Sequence, residues 1–156
     1  MERLWMNTVK QLKKSSLPFS PKRSYSGKRH NLSAFGSTLL LASLLGTYLD
    51  LYFVGKQLYQ FPIRPFPEIF SINIAFTLVG LPLFTLLFLY VSNRMTPFKR
   101  FLFIFMMSLF VAVFEKQAEA LGYFRHSDEW KHYYSCIGYF LYMLLIWRFH
   151  TWRSNK

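Results

Sequence analysis

LSAFGSTLLLASLLGTYLDLYFV, residues 32–54, holds a single charge, Asp50, in a run long enough to cross a bilayer. A helix needs about 20 mainly apolar residues to span a hydrocarbon core ~30 Å thick. Three more apolar runs follow at 69–91, 101–114 and 133–147, and none of them carries a charge. The run at 101–114 alone covers only about 21 Å, so the crossing there extends from Pro97 to Glu119, with the helix ending near Gly122. The expected fold is all-α, a four-helix polytopic transmembrane protein.

The segments between these runs set the orientation. Residues 1–31 contain Arg3, Lys10, Lys13, Lys14, Lys22, Arg23, Lys28 and Arg29 against one acid, Glu2. The connection at 92–100 adds Arg94, Lys99 and Arg100, and the C-terminal end adds Arg148, Arg153 and Lys156, with no acid in either. The remaining segments hold only Lys56, Arg64, Lys116, Arg125 and Lys131, together with Asp50, Glu68, Glu115, Glu119, Asp128 and Glu129. Lys and Arg concentrate in short cytoplasmic loops, so this split puts both the N and the C terminus in the cytoplasm. Three regions result: a basic arm and tether at 1–31, a transmembrane domain at 32–150 and a basic tail at 151–156.

Composition agrees, with 53% apolar residues, 21% aromatic and 18 Phe. That is far from an ordinary soluble domain. The net charge of +12 reads as topology signal plus attraction to anionic lipid, worth about 1 kcal/mol per surface cation. No recognition module accompanies it, so nucleic acid is not an expected partner. A lone cysteine, Cys136, excludes an intrachain disulfide and a Cys-based zinc cluster.

Local patterns fill in the chain. Leu4, Trp5, Val9 and Leu12 share one side of an amphipathic helix whose other side is basic, a form that lies in the headgroup plane. Residues 15–29 read as a flexible tether, and the first long apolar run begins too late for a secretory signal. Ser33, Ser37, Ala42 and Gly46 make two small-xxx-small pairs, a packing face toward another helix of this chain, a second copy or a protein partner. Pro62, Pro65 and Pro67 keep the next connection non-helical, with Tyr59, Phe61 and Phe66 expected to dip into the headgroup layer. Gly80 and Pro82 predict a kink in the second span. Tyr133, Tyr134, Tyr139 and Trp147 read as interfacial anchors of the fourth.

Polar side chains near the outer ends are the candidates for chemistry. Asp50 stands about 27 Å along its helix from Leu32, close to the outer boundary. Glu115 and Glu119 are four apart and share a helical face. His126, Asp128, Glu129 and His132 follow, donors that suit a divalent ion. Their spacing matches no compact metal motif, so no metal or cofactor is expected. Cys136 lies four residues after His132, yet a small thiol in an apolar span reads as packing. No GxSxG, P-loop, dinucleotide fingerprint or HExxH occurs. The candidate functional cluster is Asp50, Glu68, Glu115, Glu119, His126 and His132.

Two stretches carry a resemblance. Gly46-Thr47-Tyr48-Leu49-Asp50-Leu51-Tyr52-Phe53-Val54-Gly55-Lys56 continues through Phe61-Pro62 and Arg64-Pro65-Phe66-Pro67-Glu68, and Glu129-Trp130-Lys131-His132-Tyr133-Tyr134-Ser135 comes later. Together they resemble an uncharacterised family of short multipass membrane proteins of spore-forming bacteria, over most of residues 32–150. The resemblance implies a bacterial plasma-membrane setting and no particular substrate, cofactor or reaction. The leading expectation is a non-enzymatic scaffold or accessory component of that membrane. A small oligomeric transporter with Asp50, Glu115 and Glu119 along its path comes second, and a membrane enzyme built on His126 and His132 third.

Overall fold

The computed structural model describes residues 25–155, with side chains from Leu32 onward. The readings made for the amphipathic arm, for most of the tether and for the final residue lie outside the described residues. Among those described, the chain is mostly helical, with four helices. These are α1 (Tyr25–Gly55), α2 (Leu81–Ser92), α3 (Pro97–Ala120) and α4 (His132–Ser154). The helix of the first run starts earlier than expected, so residues 25–31 are its first turns rather than tether.

Two of these segments are long and apolar enough to cross a membrane, Leu32–Gly55 and Pro97–Ala120. The expected second span is shortened, because its apolar helix covers only Phe76–Ser92. The cause is Asn73, whose side-chain Oδ1 accepts the backbone N–H of Phe76 at 3.1 Å and caps the helix start inside the apolar run. The expected irregularity at Gly80 and Pro82 takes the form of a π turn, Phe76–Gly80, in which the Leu81 N–H bonds the Phe76 carbonyl. The helix that contains the fourth run is long enough, at 23 residues, but His132, Arg148, His150 and Arg153 lower its apolarity. It packs along α3 and α1 through Ser135, Met143, Ile146 and His150.

Both long helices stop at the same end with the same device. Gln57 adopts φ 58° after α1, and Gly122 adopts φ 78° after α3. In each case the next N–H reaches back five residues, Leu58 to Phe53 and Tyr123 to Ala118, both at 3.0 Å. The two connections leaving these stops then pair. Strand β1 (Tyr59–Gln60) runs antiparallel to β2 (Arg125–His126), with Tyr59 opposite His126. This small sheet is an addition to the all-α expectation.

The interior mixes small polar side chains with apolar ones, while many large apolar side chains face outward. Thr38, Thr77, Thr85, Ser92, Ser108 and His150 are buried, while Phe98, Leu44 and Leu87 are 78%, 69% and 65% exposed. One dry layer crosses the middle, made of Ala42, Phe88, Leu89, Ile104, Met143 and Ile146. Ala42 and Gly46, two of the four small residues, are used inside this chain. Tyr142 donates to the Ala42 carbonyl at 3.1 Å, and a Cβ on Gly46 would stand 2.2 Å from Leu81 Cδ2.

At the end opposite the sheet, His150 holds α1, α2 and α4 together. Asn93 donates to its Nε2 at 3.1 Å, so Nδ1 carries the proton and faces Thr38 Oγ1 at 3.3 Å. Arg100 donates to the Ser92 and Met95 carbonyls and lies 4.4 Å over the Trp147 ring. The positive charge read as a topology signal is also a clamp here.

Candidate functional site

The helical spacing of Glu115 and Glu119 and the β1–β2 pairing meet at one end of the bundle. His126 arrives on β2 and sits between the two carboxylates. Its Nε2 lies 3.0 Å from Glu115 Oε1, and its Nδ1 lies 3.2 Å from Glu119 Oε2. The Nε2 contact is off the hydrogen-bonding axis, leaving that buried nitrogen without an aligned partner. The His126 backbone N–H donates to Glu119 Oε1 at 2.9 Å, so ring and main chain both hold the same acid. His132, exposed in the first turn of α4, sets its ring edge-on to that of His126 at 5.5 Å.

A second layer fixes these groups. Trp130 Nε1 donates to Ser135 Oγ at 3.0 Å. Ser135 and Tyr139 donate their hydroxyls to the two oxygens of Glu115. Tyr59 donates to Asp50 Oδ1 at 2.6 Å. The Trp130 indole stacks on His126 at 5.5 Å and 14°, and Phe124 meets the same ring edge-on at 4.6 Å. Tyr59, Phe61 and Ile72 form the buried centre of this cap.

The electrostatics follow from the contacts. Burial works against a charged His126, but the Glu115 and Glu119 carboxylates outweigh it and hold the imidazole above its ordinary pKa. Burial, then the charge of Asp50, pushes the Tyr59 phenol far above its usual range, so Tyr59 remains a hydrogen-bond donor. The site can hold a proton on His126, or a cation, against closely spaced carboxylates.

Of the candidate residues, Glu115, Glu119, His126 and His132 come together, and Asp50 joins the same cap through Tyr59. Glu68 does not: it is exposed in the Pro-rich loop. Asp128 and Glu129 are likewise exposed. Cys136 meets Ser108 Oγ at 3.8 Å rather than His132. Tyr59 and Phe61 turn inward instead of toward headgroups, because β1 pairs with β2 and carries them over Phe124. Phe66 alone of that trio stays exposed.

Sequence reasoning passed over Ser135 and Trp130 as partners of the acids and took Tyr139 for an interfacial anchor. Ser135 and Tyr139 are four apart, which puts both hydroxyls on one face of α4. That spacing was the available signal. No protein-family model matches the chain, and neither the curated proteins nor the solved structures contain a significant match to it.

Proposed function

We propose that the chain is a four-span integral membrane protein with both termini in the cytoplasm. In this reading it serves a bacterial plasma membrane as a non-enzymatic scaffold or accessory component. The observation that carries it is the outward exposure of the bundle's apolar helix faces. Only 11% of the most apolar stretch of α3 is buried, although that helix is its most hydrophobic long one. Water would drive Leu and Phe inward, whereas lipid tails give no such drive and leave hydroxyl pairs and small residues to hold helices together. The segment 76–92 covers about 25 Å, and local thinning of the bilayer accommodates the difference. The resemblance of the 46–68 and 129–135 motifs supports the bacterial setting.

The accessory role is favoured over transport by the apolar layer between the two polar ends. Glu115 is tied down by two hydroxyls and roofed by aromatic rings, an arrangement that suits holding a shape more than passing an ion. The test is paired: proton and cation flux in reconstituted vesicles, and crosslinking with co-purification from native membranes. Flux at the level of empty vesicles with a reproducible protein partner is the expected result. Flux that disappears in Asp50→Asn would replace this reading with the transporter.

A further inference from the structure

The outer cap holds two imidazoles and a carboxylate whose donor atoms, on Glu119, His126 and His132, all lie within 4.8 Å of one another. We propose that these three residues form a site for a borderline divalent cation of the zinc type. The site goes beyond the accessory role above and does not depend on it.

Donor chemistry selects the class of ion. Imidazole with carboxylate and no thiolate suits Zn2+ and its neighbours, not Ca2+ or Mg2+, which take oxygen ligands. Bonds of about 2.0–2.2 Å in a tetrahedron set ligand atoms roughly 3.4 Å apart. The cluster reaches that spacing by closing on one mobile member. His126 is 5% exposed in its side chain and fixed by stacking on Trp130, and Glu119 is held by the His126 N–H. His132 is exposed and makes no hydrogen bond to another described residue, so its ring can swing inward. Water takes the fourth position.

The independent observation is behind the ligands. Metal-bound imidazoles usually present their second nitrogen to a carboxylate, which fixes the ring and raises its basicity. With Nδ1 on the cation beside Glu119, the buried Nε2 faces Glu115 at 3.0 Å. Glu115 is held in turn by Ser135 and Tyr139, and Ser135 by Trp130. A protonated His126 between two carboxylates is the competing account, but it has no use for His132.

The test uses the full, tag-free chain in detergent. Zn2+ is titrated in competition with a chromophoric chelator, and Co2+ is used to read ligand-field bands. We expect one Zn2+ per chain and tetrahedral Co2+ bands. His132→Ala and Glu119→Gln should each weaken Zn2+ by at least about tenfold, and Ca2+ and Mg2+ should fail to compete. His132→Ala removes an exposed side chain, so its fold is expected to persist; an unchanged circular dichroism melt checks this. Affinity unchanged in both His132→Ala and Glu119→Gln, or no competition for Zn2+ by the unaltered chain, would overturn the site and leave the imidazolium as the counter-charge.

Discussion

Gln57 and Gly122 occupy equivalent turns, yet only one is glycine. A left-handed conformation costs a residue with a Cβ about 1–2 kcal/mol, and Gln57 bears that cost at φ 58°. Gln57→Gly is therefore expected to stabilise the protein by about 1 kcal/mol, and Gly122→Ala to destabilise it by a similar amount. Thermal unfolding in detergent reads both, with opposite signs. Glu115 is the other residue on which much depends. Glu115→Ala would leave the Ser135 and Tyr139 hydroxyls without their acceptor and His126 without one of its two carboxylates. The expected loss is about 3 kcal/mol or more, and Glu115→Gln, which keeps an acceptor, should lose less. Equal melting of the two variants would refute that account.

Among the elements, the Pro-rich connection shows how a loop without regular structure is ordered. Arg64 donates from Nε to the Phe70 carbonyl, and through its two terminal nitrogens to those of Phe61 and Pro67. One planar guanidinium thus ties three main-chain oxygens, in a segment where proline supplies no donors. In sequence Arg64 was an exception to the charge bias; its cation is consumed by the loop itself. Arg64→Ala should raise amide exchange across 61–70, and Arg64→Lys should not restore it, because an ammonium cannot present that fork. Protection restored by lysine would show that charge alone suffices. The helix ends were more legible: Pro97 opens α3 at its first turn and Gly122 closes it, as local backbone chemistry requires. Asn73 passed unread as a capping residue, because the uncharged run around it concealed the helix start.

For the whole molecule, the short connection 93–96 and the β1–β2 pairing set opposite ends of the bundle. The four-span reading therefore makes a prediction about sidedness. On a Cys136→Ala background, Gln60→Cys should react with an impermeant maleimide in sealed right-side-out vesicles. Asn155→Cys should react only after lysis. Labelling of both before lysis would break the topology.

The length of the apolar runs, the segments in which Lys and Arg gather and the helix start at Pro97 and stop at Gly122 are written locally, because hydropathy, charge and backbone preference act within one segment. The chain alone also listed the acids and histidines near the ends of the apolar runs. Which of them meet was settled by contacts distant in sequence: β1 lies far from β2, yet their pairing carries His126 between Glu115 and Glu119 and turns Tyr59 toward Asp50. The burial of His150 against Thr38 and Asn93 arises in the same way. Such pairings reflect the closing of long loops against the hydrogen bonds and burial they make available, a balance that exists only once the helices are packed.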